Sequence, residues 1–116
     1  MTVQPVIENA VKHGLESLGR QGILKVYTHE EGNILKLIVE DNGNGMNEAQ
    51  LQRLLDSLEG GSLKEAGKSG IGLQNLHRRL QHMFGEQYGL QIQSFPGVGT
   101  QVAILLPIQV EGDLNT

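Results

Sequence analysis

Cysteine and tryptophan are absent from this 116-residue chain, which has only two Tyr, two Phe and three Pro. The lack of cysteine excludes a disulfide scaffold and thiolate metal sites. Few aromatic rings leave few surfaces for stacking bases, and a formal net charge of −4 does not attract a phosphate backbone. We therefore expect no nucleic acid partner. Because no apolar run approaches the roughly 20 residues of a membrane span, we expect this chain not to be embedded in a membrane.

Glycine, in contrast, is abundant. The chain contains 16 glycines, about twice the usual share of roughly 7%. Their local excess between residues 41 and 73 indicates backbone that must approach something closely, or a loop that must move. The length suits a single domain over residues 1–116, for which we expect a core at about residues 3–107 and a frayed tail at 111–116.

Two kinds of hydrophobic pattern follow one another along the chain. Spacings of three and four residues predict helices, and β-rich runs bounded by turn residues predict strands. The predicted helices are 3–18, 48–58 and 71–84, and the predicted strands are 23–29, 34–40, 90–95 and 100–106. This order predicts an α+β fold, a two-layer α/β sandwich in which a mixed or antiparallel sheet of four or five strands packs on three helices. Asn47 is predicted to cap the second helix, and residues 59–70 to form a mobile loop.

A first polar cluster lies on the first predicted helix. Asn9, Lys12 and His13 stand at positions i, i+3 and i+4 and therefore share one helix face. The amide oxygen of an asparagine can ligate a hard cation such as Mg²⁺, while lysine and histidine can donate to phosphate oxygens. The same pattern is also typical of the solvated face of an amphipathic helix, so the residues alone leave both interpretations open.

A second cluster, residues 41–46 (DNGNGM), directly follows a predicted strand. Asp41 at the strand end can accept a hydrogen bond from an exocyclic amine such as that of adenine. Gly43 and Gly45 would let the backbone approach a flat ring. A plain β-turn or a fragment of a calcium loop is the alternative, although the twelfth position counted from Asp41 is Gln52 and not the bidentate glutamate that a calcium loop needs.

A third cluster contains Gly70 and Gly72 at the start of the third predicted helix. Free N–H groups at a glycine-rich helix start can hold an anion, although a flexible helix start fits the pattern about as well. A Walker loop is excluded because Lys68 and Ser69 precede the glycines. A Rossmann turn is excluded because no strand leads directly into this segment.

Together and in this order, the clusters resemble the GHKL, or Bergerat-fold, ATP-binding domain. The matching segments are Asn9 with Lys12 and His13 (N box), residues 41–46 (G1 box), residues 69–73 (G2 box) and residues 97–100 (the later Gly-x-Gly-Thr segment). Residues 4–14 (QPVIENAVKHG), 72–76 (GLQNL) and 78–80 (RRL) are similar to the LytS- and YehU-like sensor histidine kinases. The resemblance extends from about residue 4 to residue 107.

The resemblance implies a role for each matching residue. Asp41 would bind the adenine amino group with support from Thr100 through water, and Asn9 would hold Mg²⁺ between the phosphates. Lys12 and His13 would contact phosphate oxygens, and residues 59–70 would form the ATP lid. Asn9, Lys12 and His13 are thus the catalytic candidates, with Asn9 as metal ligand. The nucleotide-binding candidates are Asn9, Lys12, His13, Asp41, Gly43, Gly45, Met46, Gly70, Ile71, Gly72, Leu73 and Thr100.

The same fold also serves ATP-hydrolysing clamps of the gyrase, Hsp90 and MutL type, which resemble one another in a helix-one glutamate that activates water. Here that position is Pro5, which cannot take a proton. Glu8, which precedes Asn9 in sequence, lies roughly 100° around the helix from Asn9. Hydrolysis is therefore disfavoured. A histidine kinase catalytic domain is favoured, with a stand-alone anti-sigma-type serine kinase or a non-catalytic nucleotide-binding module as alternatives.

The kinase interpretation places the acceptor histidine outside this chain. We expect His13 to belong to the nucleotide site, and His77 and His82 to lie at the surface. The expected partners are ATP with Mg²⁺, a separate helical phosphoacceptor and dimerisation domain, and a response regulator. We expect a monomeric, cytoplasmic catalytic domain of a membrane-bound sensor, with little or no activity when it is isolated.

Overall fold

A computed structural model describes residues 4–11, 21–59 and 69–108 of the chain. Within these ranges the elements alternate between helices and antiparallel hairpins. In chain order they are α1 (Gln4–Asn9), β1 (Leu24–Glu31), β2 (Ile34–Asp41), α2 (Glu48–Leu58), α3 (Ser69–Phe84), β3 (Gly89–Phe95) and β4 (Gly99–Pro107). The predicted α+β class is confirmed. No helix among the described residues is long and apolar enough to cross a membrane.

The four described strands form one sheet in the order β1-β2-β4-β3, and every neighbouring pair is antiparallel. The hairpins β1–β2 and β3–β4 are those predicted, and β2 pairs with β4 across the centre. Of the two predicted alternatives, mixed or antiparallel, the described residues therefore form the antiparallel sheet. The central register places Asp41, the last residue of β2, opposite Thr100 at the start of β4.

The main core lies between the helices and one face of the sheet. Because side chains alternate across a strand, Val39 of β2, Ile92 of β3 and Val102 of β4 all face the helices. Leu73 and Leu80 of α3 are fully buried at 0% exposure, and burying one such leucine contributes about 1.5–3 kcal/mol. The buried members of this core are Val6, Val39, Leu58, Leu73, Leu76, Leu80, Leu90, Ile92, Val102 and Ile104.

The opposite face of the sheet carries a smaller apolar cluster of Ile38, Ala103 and Leu105, against which Ile34 and Tyr88 pack. No helix within the described ranges belongs to this cluster. Asp41 and Thr100 stand two positions from Val39 and Val102 on their strands, so both lie on the helix-facing side of the sheet.

Residue Asn47 caps helix α2, as predicted. Its side chain accepts from the backbone N–H of Gln50 at 2.8 Å, and the Gln50 side chain accepts from the backbone N–H of Asn47 at 2.9 Å. This reciprocal arrangement satisfies two amides that a helix start otherwise leaves unpaired.

Several predicted boundaries differ from the structure or lie partly outside the described residues. Helix α3 begins at Ser69, so Ser69 and Gly70 are helical and not part of a loop. Glu59 directly follows α2, and the rest of the predicted lid, 60–68, lies outside the described residues. The first helix is described as Gln4–Asn9, and residue 3, residues 12–18 of its predicted extent and the tail 111–116 also lie outside.

Candidate functional site

The carboxylate of Asp41 is held by two backbone amides at the end of β2. Its Oδ1 atom accepts from the N–H of Gly43 at 2.8 Å, and the carboxylate also accepts from the backbone N–H of Thr100. Asp41 is half-buried, and its burial raises the pKa of the carboxyl group above its ordinary value, while the two amide bonds partly oppose this rise. The result is an oriented and partly desolvated hydrogen-bond acceptor.

The segment that follows Asp41 lies directly against the β3–β4 hairpin. A β-carbon on Gly45 would overlap the carbonyl oxygen of Phe95, and one on Gly99 would overlap the carbonyl oxygen of Asp41. Both added atoms would stand far inside van der Waals contact, so glycine is required at each position. The close approach at Gly45 is made by the protein's own backbone, which by itself accounts for glycine at that position.

Ser94 connects this segment to the hairpin, although the sequence reasoning did not single it out. Its hydroxyl accepts from the backbone N–H of Met46 at 2.8 Å, and it lies 2.7 Å from the hydroxyl oxygen of Thr100 and 3.2 Å from the carbonyl oxygen of Gly99. Ser94 is 6% exposed. The sequence held one signal for Ser94. In the alternation of β3 it takes a position that faces the core, as Ile92 does, and an apolar residue is expected at such a position.

Helices α1 and α3 meet at Pro5 and Gly72. A β-carbon on Gly72 would stand 3.2 Å from the β-carbon of Pro5, so the absence of a side chain permits this close packing. The residues next in sequence, Val6 and Leu73, are buried in the same core as Val39, two residues before Asp41. Asn9 and Gly72 therefore lie on helices whose buried residues share a core with the sheet face on which Asp41 stands.

The connection between α3 and β3 sets the direction of α3. Only four residues separate the end of α3 from Gly89, so the C-terminal end of α3 lies near that residue. Gly89 pairs with Leu105, whereas Asp41 pairs with Thr100 at the other end of β4. The first turn of α3, which contains Gly70 and Gly72, is thus the end directed away from Gly89.

The C-terminal end of α2 is tied to α3 by a buried amide. The Gln74 side chain, on α3, donates to the backbone carbonyl of Ser57, and both residues are 1% exposed. This bond gives the Ser57 carbonyl a donor from α3, in the last turn of α2, where carbonyls lack the regular partner of a helix interior.

His77 is buried, so its predicted surface position is wrong, whereas His82 on the same helix is exposed as expected. The Nδ1 atom of His77 accepts from the backbone N–H of Leu90 at 3.0 Å, which places a ring hydrogen on Nε2 when the ring is neutral. That Nε2 lies 3.4 Å from Oε2 of Glu59. Helical spacing could not show this, because the contact depends on how β3 docks on α3.

Several sequence candidates remain without a described side chain. Lys12 and His13 lie outside the described residues, as does the side chain of Asn9 in α1. Gly70 and Ile71 belong to the first turn of α3, where only the backbone is described. Among the described residues, no group of three or more His, Asp or Glu side chains could hold a metal ion. The structure thus brings together the five candidates Asp41, Gly43, Gly45, Met46 and Thr100, and packs Gly72 and Leu73 against α1 and the core.

Comparison with known proteins identifies the family of this chain. The profile of a family described as histidine kinase-, DNA gyrase B- and HSP90-like ATPase matches residues 1–110. Sensor histidine kinase YesM of Bacillus subtilis is 34% identical over 111 residues, which cover 96% of this chain and 17% of that protein. Sensor protein LytS of Oceanobacillus iheyensis is 34% identical over 108 residues, which cover 91% of this chain and 18% of that protein. The chain therefore spans less than a fifth of the length of these curated relatives.

A solved structure shares the fold. The histidine kinase domain of the Erythrobacter litoralis EL346 blue-light activated histidine kinase is similar with a TM-score of 0.60 and 24% sequence identity. The similarity covers 90% of this chain and 41% of that chain. At this level of identity the likeness supports the fold assignment alone.

Proposed function

The chain belongs to the histidine kinase-, DNA gyrase B- and HSP90-like ATPase family, and we propose that it is the ATP-binding catalytic domain of a sensor histidine kinase. Membership of this ATPase family implies that the domain binds ATP. The sensor names of its relatives favour a histidine acceptor over a serine acceptor. The observation that carries the proposal is the Asp41 carboxylate, fixed by two backbone amides and half-buried opposite Thr100.

The chemistry of this carboxylate fits the base of ATP. An aspartate in its ionised form is an acceptor only, and the 6-amino group of adenine is a donor. Guanine presents a carbonyl oxygen at that place, which an aspartate repels. Since the two backbone amides fix the orientation of the carboxylate before a ligand arrives, little ordering cost remains to be met on binding. Asp41 would therefore select adenine nucleotides.

The phosphates would lie toward helices α1 and α3. Gly70 and Gly72 stand in the first turn of α3, where free amides favour an anion. Asn9 would hold Mg²⁺ through its amide oxygen, and Lys12 and His13 would donate to phosphate oxygens. When bound, the metal would neutralise charge on the phosphates, which is most of what phosphoryl transfer requires besides positioning.

Hydrolysis of ATP is not the function that the site supports. Position 5, where a water-activating glutamate would stand on α1, is a proline whose ring packs toward Gly72. Proline can neither accept a proton nor orient a water molecule through its side chain. The γ-phosphoryl group would instead pass to a histidine nitrogen, with cleavage of the phosphorus–oxygen bond and release of ADP.

The acceptor histidine would belong to a helical dimerisation and phosphoacceptor domain of the parent kinase, and the phosphoryl group would then pass to a response regulator. We place the domain on the cytoplasmic side of a membrane-bound sensor, where ATP is present. The isolated domain would be a monomer that binds ATP with Mg²⁺ and has little or no kinase activity by itself.

Calorimetric titration with ATP and Mg²⁺ tests the nucleotide site. Asp41→Asn should lower ATP affinity by about tenfold to a hundredfold, because the amide presents a donor where an acceptor is needed, and a charged hydrogen bond is worth about 1.5–3 kcal/mol. GTP should bind the wild type more weakly than ATP.

A matched control is available in Asp56→Asn. This aspartate is exposed on α2 and accepts from the Gln52 side chain of the same helix, so its variant should bind ATP as the wild type does. Equal ATP affinities for wild type and Asp41→Asn, or equal affinities for ATP and GTP, would remove Asp41 from the proposed site.

A further inference from the structure

The buried hydroxyl of Ser94 contacts one backbone N–H donor and two oxygen atoms. Its Oγ atom accepts from the backbone N–H of Met46 at 2.8 Å, lies 2.7 Å from Oγ1 of Thr100 and lies 3.2 Å from the carbonyl oxygen of Gly99. A serine hydroxyl has one hydrogen to donate, so it cannot donate both to Gly99 and to Thr100. The direction of the Ser94–Thr100 bond decides where the hydrogen of Thr100 points.

Distance favours donation from Ser94 to Thr100. The 2.7 Å separation of the two hydroxyl oxygens is typical of an O–H···O bond, whereas the 3.2 Å separation from the Gly99 carbonyl is longer than such bonds usually are.

We infer that Ser94 is a positioning residue that orients the Thr100 hydroxyl as a donor toward the nucleotide base. The hydrogen bonds then run in one direction, from the Met46 amide to Ser94, from Ser94 to Thr100, and from Thr100 into the site. Bonds in such a chain polarise one another, which strengthens the last donor. This inference rests on the proposed function, because it assigns a role in reading the base at the same site.

The oriented hydroxyl completes a two-part complement to adenine. The base edge carries a donor, the 6-amino group, next to an acceptor, ring nitrogen N1. Asp41 offers the acceptor and Thr100 offers the donor, either directly or through one water molecule. Without Ser94 the Thr100 hydroxyl can rotate and satisfy itself elsewhere, so recognition of N1 should weaken while recognition of the amino group by Asp41 stays.

Two ATP analogues separate these contacts. In 1-deaza-ATP a C–H group replaces N1, and purine riboside triphosphate lacks the 6-amino group. Calorimetry on the wild type should show 1-deaza-ATP binding about fivefold to tenfold more weakly than ATP, as the loss of one hydrogen bond predicts. Ser94→Ala should reduce this preference to about twofold or less and keep the preference over purine riboside triphosphate.

A double-mutant cycle tests whether Ser94 acts through Thr100. Thr100→Val should reduce the preference for ATP over 1-deaza-ATP as Ser94→Ala does, and the double variant should show no further reduction. Ser94→Thr, which keeps the hydroxyl, should retain the wild-type preference. Ser57→Ala is the matched control, because the hydroxyl of this buried serine donates to the Leu54 carbonyl within α2 and its removal should leave the preference unchanged.

The outcomes separate the two proposals. If Ser94→Ala binds ATP and 1-deaza-ATP more weakly by the same factor, Ser94 has a merely structural role and the inference is overturned, while ATP binding stands. If the wild type binds no ATP, the proposed function fails and the inference fails with it. Thermal unfolding checks that each variant is folded. If Ser94→Ala does not fold, Ser94→Cys replaces it, because a weakly donating thiol fills the same place. This variant should then lose the preference for ATP over 1-deaza-ATP.

Discussion

The carbonyl oxygen of Phe95 occupies the space that a β-carbon on Gly45 would need. Gly45 has a φ of +71°, and Gly97 has a φ of +76° with no atom within 4 Å of its own added β-carbon. The two glycines share a backbone conformation and differ in this contact. They therefore separate the cost of a left-handed conformation from the cost of a steric clash.

Alanine substitutions at these two glycines should have very different effects. Gly97→Ala should lower the free energy of unfolding by about 1–2 kcal/mol, the cost of a left-handed conformation alone. Gly45→Ala should cost more than about 3 kcal/mol, because the backbone of Phe95 must also move. Urea unfolding of both variants measures the difference. Equal losses would show that residues 41–46 can leave the hairpin at little cost.

The raised pKa of the Asp41 carboxyl group predicts a particular dependence on pH. The folded chain keeps this proton to a higher pH than the unfolded chain, whose aspartate titrates near 3.8. Ionisation of Asp41 therefore lowers the free energy of unfolding as pH rises from about that value through the raised pKa of the folded state. The free energy of unfolding of Asp41→Asn should not show this decrease. The wild type should therefore become less stable relative to the variant over this pH range.

Bound ATP should lower the pKa of the Asp41 carboxyl group, which burial raises in the free protein. An adenine amino group that donates to the carboxylate stabilises its charged form and lowers the pKa of Asp41. Carbon-detected NMR of the Asp41 carboxyl group, with and without ATP, measures both values. A midpoint at or below 3.8 in the free protein, or a midpoint unmoved by saturating ATP, would contradict this account of the site.

His77 should matter for stability, whereas His82 should not. In His77→Phe the N–H of Leu90 loses its acceptor inside the protein, and an unsatisfied buried donor costs about 1–3 kcal/mol. His82 is exposed on the same helix, so His82→Phe should change the free energy of unfolding by less than about 0.5 kcal/mol. Denaturant unfolding of the two variants provides the comparison. A neutral effect of His77→Phe would mean that another group accepts this amide.

Asn9 should be needed for phosphotransfer but not for folding. When the helical phosphoacceptor domain is restored, Asn9→Ala should abolish transfer from ATP, because the proposed metal ligand is removed. Asn33→Ala provides the control: Asn33 lies in the β1–β2 turn, and its described contact is a backbone carbonyl that alanine retains. Radiolabelled phosphate on the acceptor histidine is the measurement, and transfer by Asn9→Ala at the wild-type rate would exclude the assigned role.

Much of the fold follows from local patterns. The hairpins, the cap at Asn47 and the inward leucines of α2 and α3 depend on residues close together in sequence, so periodicity and turn chemistry predict them. The strand order β1-β2-β4-β3 and its fully antiparallel sense do not follow in this way. They depend on pairing between β2 and β4, whose partners, such as Asp41 and Thr100, are distant in sequence.

The candidate site also has features that follow from the sequence and features that depend on the tertiary structure. The sequence by itself determined the family, the glycine-rich segments and the acidic strand end at Asp41, because these are contiguous motifs. Only the tertiary structure decided that Ser94 joins Met46 to Thr100, that Phe95 requires glycine at position 45, and that His77 is buried against Leu90. Each of these contacts joins separate elements, and its geometry is set by strand register and helix docking, which no local pattern of residues specifies.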